Sequence, residues 1–449
     1  MRLRFPTIGA ALLLLGCACA NSGGVATQQT AEPVYSPTSP PLASPSWHFA
    51  LKAGWDVSQV RANHDSVIVG GRSGVFALDP ATGRPRWQRN DGASAIRLDE
   101  YAVFYGTRSG AIVSRRVHDG SVRWQRDGVC PAPSHGIASG GADVILGGET
   151  DLLVGCSGGR VVRVDRASGR ILAMSTDFSV DQIASITSLG SCSYGVEGWS
   201  SGATIVQHAE ILGCKRLNQI LGEQNETPIV GSIGNVAILD DRCCFGRAGV
   251  YRPATISRVN LLTGDRSPAV DLAPEPYRYP PGQRPVGQGS IAFLAGNELY
   301  LAVDHALYLY GDPRDPRPSA KRVADNFVEP PAVLGNDRLA MRLRGPNATT
   351  WDEIARLRDD AFATIFRIRE DPTLPYFFLS VAGNPDVLSL ARAGGASTFV
   401  RADDGSQLTI DGGGQPVAAS KELLVLLRST NVLVGNRYQQ YIAGYRWLK

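Results

Sequence analysis

Ala77-Leu78-Asp79-Pro80-Ala81-Thr82-Gly83-Arg84-Pro85-Arg86-Trp87 decides the reading of this chain, because its pattern returns downstream. The second copy, Gly110-Ala111-Ile112-Val113-Ser114-Arg115-Arg116-Val117-His118-Asp119-Gly120, reaches Trp124 at the same offset from its glycine as Trp87 from Gly83. A third runs Val161-Val162-Arg163-Val164-Asp165-Arg166-Ala167-Ser168-Gly169 and continues into Ile171-Leu172. Weaker copies end in Val259-Asn260-Leu261-Leu262-Thr263-Gly264 and Phe399-Val400-Arg401-Ala402-Asp403-Asp404-Gly405. Alternating apolar residues make a strand with one buried face, and Asp-x-x-Thr-Gly closes a tight turn. In that turn Asp or Asn bonds its own downstream backbone, and glycine takes positive φ without a Cβ clash. The tryptophan then opens the returning strand and offers a large apolar surface to a neighbouring sheet.

Another apolar run precedes each good copy: Ser66-Val67-Ile68-Val69-Gly70, Tyr101-Ala102-Val103-Phe104-Tyr105 and Asp151-Leu152-Leu153-Val154-Gly155. Each unit is therefore an antiparallel meander, and the spacing of roughly 35 to 55 residues is that of four-stranded blades arranged radially. The expected fold is an all-β propeller. Later apolar runs, ending in Glu422 to Leu427 with Tyr441 to Trp447, bring the count to about eight four-stranded blades, with seven possible. Trp47-His48-Phe49-Ala50-Leu51 resembles an outer strand without a blade of its own, so this N-terminal strand is expected to complete the last blade and remove an exposed sheet edge.

The repeat resembles the PQQ-like, quinoprotein-type propeller family, whose unit reads A-L-D-x-x-T-G-x-x-x-W. Ala77 to Trp87 match it closely and Val113 to Trp124 in part, and the resemblance covers about residues 65 to 175. Trp55-Asp56 and Trp351-Asp352 lack the strand and Gly-His context of WD40 blades.

Met1-Arg2-Leu3-Arg4 followed by the apolar run Ile8 to Leu15 reads as a secretory signal, too short to span a bilayer stably. Leu14-Leu15-Gly16-Cys17 resembles a bacterial lipobox, which implies a signal peptide over residues 1–16 and a lipid on Cys17. Residues 17–46 are rich in Ser, Thr, Pro and Gln and poor in charge, so they are expected to be a disordered tether ahead of a propeller over residues 47–449. With 45 Lys and Arg against 42 Asp and Glu, the net charge of +3 gives no nucleic-acid footprint.

An exported chain with Cys130, Cys156, Cys192, Cys214, Cys243 and Cys244 in its folded part suggests disulfides, with Cys130–Cys156 and Cys192–Cys214 favoured as pairs one hairpin apart. The adjacent Cys243-Cys244 resembles the vicinal disulfide beside the cofactor of PQQ-dependent alcohol dehydrogenases. No residue pattern here matches the calcium ligands and catalytic aspartate of those enzymes, so no cofactor, metal or catalytic residue is assigned. Gly155-Cys156-Ser157-Gly158-Gly159 and Gly198-Trp199-Ser200-Ser201-Gly202 both satisfy G-x-S-x-G, but a nucleophile elbow needs a strand, a turn and a helix, and a strand follows Ser157. The six histidines show no metal-ligand spacing. Thr350-Trp351-Asp352-Glu353 reads as a capping box, predicting a short inserted helix with Trp351, Ile354 and Leu357 as a candidate partner patch.

These features imply a membrane-anchored extracytoplasmic lipoprotein of the bacterial envelope. Its propeller is expected to be a non-enzymatic scaffold for envelope proteins, as in the similar BamB-type lipoproteins, held to the membrane by its lipid and not binding nucleic acid. The alternative is an exported quinoprotein-like oxidoreductase or a small-ligand-binding propeller.

Overall fold

The computed structural model describes residues within 42–447, leaving outside it 1–41, 131–140, 213–223, 241–254, 272–290, 370–386 and several shorter stretches. The described strands form nine antiparallel sheets, eight of four strands and one of three, and the described residues include no helix. Blade 1 comprises Val57–Ala62, Val67–Gly71, Gly74–Leu78 and Pro85–Arg89, hydrogen-bonded in chain order. Blade 2 comprises Ala93–Leu98, Ala102–Thr107, Ile112–Arg116 and Val122–Arg126, and blade 3 Ala142–Gly147, Asp151–Cys156, Arg160–Asp165 and Ile171–Met174. Blades 4 to 7 follow at residues 182–225, 229–271, 291–324 and 332–369, and the three-stranded blade 8 at 387–410. The run at Phe399 to Gly405, one of the weak turn copies, belongs to blade 8. In blade 9, Gln415–Ala419, Leu423–Val434 and Arg437–Arg446 are completed by Trp47–Ala50, with Trp47 opposite Gly444. The protein is a β-propeller, and its N-terminal strand finishes the last blade; the described sheets number nine where the sequence predicts about eight blades, because the Phe399 run builds a three-stranded sheet of its own.

Burial follows position in the blade. In blade 1 the second and third strands are buried throughout, whereas the fourth buries only Trp87. First strands of blades 9 and 1 to 6 lie against one another in turn, which puts them innermost and the fourth strands at the rim. Apolar clusters then fill the seams: Val60, Val69 and Phe76 of blade 1 with Val425 and Ile442 of blade 9, Phe104 and Trp124 of blade 2 with Leu152 and Val162 of blade 3, Tyr300 of blade 6 with Met341 of blade 7.

The tryptophans and turn glycines of the repeat meet across these seams. Trp47 Nε1 donates to the Pro80 carbonyl at 2.7 Å, Trp87 Nε1 to Val117 at 2.7 Å and Trp124 Nε1 to Arg166 at 3.0 Å. Each indole lies on the glycine of the next blade's turn: a Cβ on Gly83 would fall 2.5 Å from Trp47 Cε3, on Gly120 2.6 Å from Trp87 Cδ2, and on Gly169 2.6 Å from Trp124 Cε3. The glycine therefore serves two ends, a φ between 67° and 73° and a flat seat for the ring. The turn itself is as the sequence implies, with Asp79 Oδ1 accepting the Thr82 N–H at 2.9 Å and Asp165 Oδ1 accepting that of Ser168 at 2.7 Å.

A second kind of joint lies nearer the axis. The first strands of blades 1 to 5 each carry a bulge in their pairing with the second strand. A bulge frees a backbone N–H that needs a partner. Gln59 Oε1 accepts the Ile96 N–H at 2.9 Å, Asp143 Oδ2 that of Ile183 at 3.0 Å and Glu197 Oε1 that of Ile229 at 3.1 Å, each reaching from one blade to the next.

Blade 8 has no fourth strand among the described residues, yet its last strand, Gln407–Ile410, is mostly buried. Leu42 bridges Thr409, and the Ala43 N–H donates to the Thr409 carbonyl at 2.7 Å. The N-terminal segment thus covers the edge of blade 8 before becoming the outer strand of blade 9.

The helix expected at Thr350 is not formed. Thr350–Arg358 is a strand of blade 7, paired on one side with Arg338–Arg344 and on the other with Ala361–Arg369. Glu353, the capping-box acid, is 4% exposed and accepts from Thr364 Oγ1 at 2.5 Å and Arg367 Nε at 2.7 Å. Pairing on both sides supplies the strand's backbone with partners that a helix would have found locally, and tertiary pairing overrides the local signal.

Candidate functional site

A cleft of about 1020 Å³ lies across blades 1, 2 and 3. Its walls are the connections between first and second strands, carrying Asp65, Asp99, Glu100, Tyr101 and Glu149, and the turns between third and fourth strands, carrying Arg116, His118 and Asp165. Arg86 and Arg123 project from the fourth strands. Rigid two-sided pairing holds each connection, so the cleft is built from short loops on a fixed frame.

Arg166 is its keystone. The guanidinium donates to the Gly148 carbonyl at 2.8 Å and to Asp99 Oδ2 at 2.6 Å, and lies 5.9 Å above the Phe104 ring, joining blade 3 to blade 2. Asp99 also accepts from Arg97 Nε at 3.0 Å. Arg86 is committed to Asp79 at 2.7 Å, and its hydrogen bond there holds the Asp79 carboxyl below its ordinary range. The Ser168 hydroxyl does the same for Asp165 and the Ser121 hydroxyl for Asp119. Tyr101 is 73% exposed at the mouth, its phenol raised by the hydrogen-bonded Glu100. The cleft offers charge, an aromatic and a small apolar floor at Ala102, Val117 and Ala167, a set suited to recognition.

On the face bearing the connections between second and third strands, the structure joins Cys130 to Cys156 in a disulfide with 5.2 Å between the Cα atoms. This is the first of the two pairings weighed from sequence. It links the end of blade 2 to blade 3, and the Cys130 N–H donates to the Gly110 carbonyl at 2.8 Å. Ser157 follows in the turn between two strands, its hydroxyl donating to Asp143 Oδ1 at 2.7 Å, so this G-x-S-x-G lies in a hairpin. Burial pushes the Asp143 carboxyl up to about 6, against the two hydrogen bonds that favour its charge. In blade 2, burial and Asp91 raise the Tyr105 phenol well above its ordinary value, while Arg115 Nε donates to its oxygen at 2.6 Å.

Cys17, Cys192, Cys214, Cys243 and Cys244 lie outside the described residues. The expected partner patch loses Ile354, which is 1% exposed on a strand, while the side chains of Trp351 and Leu357 lie outside what the structure describes. Helical spacing brought those three together only on paper. The cleft was missed because its residues are far apart in sequence, and the sole hint was the charged and aromatic content of the connections, Asp99-Glu100-Tyr101 and Arg116-Val117-His118.

Residues 20–196, which include blades 1 to 3 and both faces of the cleft, match the family model described as outer membrane protein assembly factor BamB. The repeats of this stretch are thus BamB-like PQQ repeats. Among solved structures, the chain is similar to BamB from Moraxella catarrhalis, with 12% identity and a TM-score of 0.39, over 82% of this chain and 99% of that one. It is similar over the same shares to the computationally designed Ika8 protein, with 10% identity and a TM-score of 0.40. Similarity to the designed Ika4 protein extends over 35% of this chain and 93% of that one, with 10% identity and a TM-score of 0.29. No curated protein sequence matches the chain.

Proposed function

We propose that the protein is an extracytoplasmic lipoprotein, anchored through Cys17, whose propeller is a non-enzymatic binding scaffold for proteins of the cell envelope. The observation that carries this reading is the cleft across blades 1 to 3, where fixed loops and strand ends present Tyr101, Arg116 and Arg123 to solvent. The description of the matched family, an assembly factor of the outer membrane, favours envelope proteins as partners. The Cys130–Cys156 disulfide favours an oxidising compartment, and Leu14 to Cys17 favour a lipid anchor within it.

Two measurements test the proposal. Intact mass spectrometry of the membrane-extracted, non-reduced protein is expected to show acylation at Cys17 that a Cys17→Ala variant lacks. A photoreactive phenylalanine in place of Tyr101 is expected to give discrete crosslinks to envelope proteins in intact cells. An unacylated protein that co-purifies with a quinone, and gives no crosslink, overturns the reading in favour of a quinoprotein-like oxidoreductase.

A further inference from the structure

The distribution of charge along the cleft identifies the chemistry of its partner, on the assumption that the scaffold reading holds. First strands are innermost and fourth strands outermost, so the cleft has an axial end and a rim end. Its carboxylates Glu100 and Glu149 come from connections between first and second strands, at the axial end. Arg116 closes the third strand of blade 2 and Arg123 lies on its fourth strand, toward the rim. The other charges are largely spent within the protein: Asp99 on Arg97 and Arg166, Arg86 on Asp79, Asp165 on its own turn. Among the described residues Glu100, Glu149, Arg116 and Arg123 form no ion pair; Glu100 accepts from the Tyr101 hydroxyl and Arg116 lies in the field of Asp119 at the rim, and Tyr101 stands exposed on the axial side of the cleft mouth.

We infer that the cleft binds an extended polypeptide segment of a partner protein that carries basic side chains at one end and acidic side chains at the other, laid radially with its basic end toward the axis. A uniformly acidic segment would gain at Arg116 and Arg123 but be repelled by Glu100 and Glu149, and a uniformly basic one would meet the reverse. The spacing sets the length. Glu100 and Tyr101 form the tip between the first and second strands of blade 2, Ala102 pairs with Arg116 one strand outward, and Arg123 lies on the strand beyond. About one and a half to two and a half inter-strand steps of about 4.8 Å, roughly 7–12 Å, thus separate the two ends, which an extended chain at about 3.3 Å per residue covers in about two to four residues. The Tyr101 ring, beside Glu100, can pack on the apolar stems of the basic end of such a segment, and the Gly120 turn seated under Trp87 holds the strand ends that carry Arg116 and Arg123, which lowers the ordering cost of binding.

The test uses the full-length protein in mild detergent and two fluorescein-labelled synthetic peptides of identical composition. One has two lysines and two glutamates separated by four uncharged residues, and the other has the same charges alternating. Fluorescence anisotropy at low salt is expected to show the blocked peptide binding about tenfold more tightly, with the difference shrinking as salt rises. Arg116→Glu with Arg123→Glu should lose that preference. Adding Glu100→Lys and Glu149→Lys should restore it, because the blocked peptide can then lie in the opposite direction, an outcome that a merely structural role for these residues does not give. Equal binding of both peptides, or no binding by a protein whose melting is unchanged, overturns the inference. Should the peptides fail while the crosslink from position 101 persists, the scaffold reading survives and only the two-signed segment falls; should both fail, both fall.

Discussion

At the scale of single residues, the turn glycines and the seam carboxylate make the sharpest claims. Gly120 and Gly128 both sit at a φ of 67°, but a Cβ on Gly120 meets the Trp87 indole at 2.6 Å while one on Gly128 meets nothing within 4 Å. Gly128→Ala should therefore cost only the left-handed backbone, about 1–2 kcal/mol, and Gly120→Ala distinctly more, because Trp87 must leave its seat and its carbonyl partner. Urea denaturation of the two variants compares them directly, and equal losses would mean that the indole contact contributes nothing. Asp143 sets a pH dependence whose sign can be worked out. Its folded value of about 6 lies above the ordinary 3.8, so the folded protein holds this proton more firmly than the unfolded chain. Its contribution to stability thus falls as pH rises from about 4 to 6, by up to about 3 kcal/mol. The stability difference between wild type and Asp143→Asn should change across that window and be flat above pH 7; a difference that is constant from pH 4 to 7 contradicts the assignment.

Elements show which kinds of sequence signal survive folding. The strand–turn–strand units of blades 1 to 3 were legible because each is local: apolar alternation, a turn aspartate and a positive-φ glycine lie within about a dozen residues of one another. What the tryptophan touches was not legible, since the glycine it covers lies in the following blade, 33 residues from Trp87 in the case of Gly120. The strand Thr350–Arg358 misled for a related reason. Its Glu353 looks like a cap only if Arg367 and Thr364, on the next strand, are left out of account. Replacing Glu353 with alanine should remove the buried acceptor shared by Thr364 and Arg367 in blade 7 and cost about 3 kcal/mol, whereas a helix-capping role would have limited the loss to about 1 kcal/mol. Thermal melts separate these. The cleft escaped the sequence altogether, because three blades contribute to it and no repeat unit contains more than part of one wall.

For the whole molecule, stability resides in the seams. Removing the Trp47 side chain takes away the indole seated on Gly83 and a buried member of the cluster joining blades 9 and 1. Trp47→Ala should cost about 3–5 kcal/mol and raise hydrogen exchange first in Arg437–Arg446 and in blade 1, on the two sides of the joint. Exchange that rises uniformly over all blades would mean that the propeller opens as one unit, without a preferred seam. Reduction of Cys130–Cys156 should cost about 3 kcal/mol and loosen the joint between blades 2 and 3, which includes one wall of the cleft.

The pairing of Trp47 with Gly444 also orders events in time. The segment that finishes blade 9, Trp47–Ala50, leaves the ribosome before all nine blades, and its partner strand Arg437–Arg446 only after the first eight are made. While the intervening chain is made that segment waits without a mate, its apolar side chains in solution. A chain stopped anywhere before Arg437 has no place to put them, so a truncated product should be recognised by proteases from its unmatched beginning as readily as from its missing end.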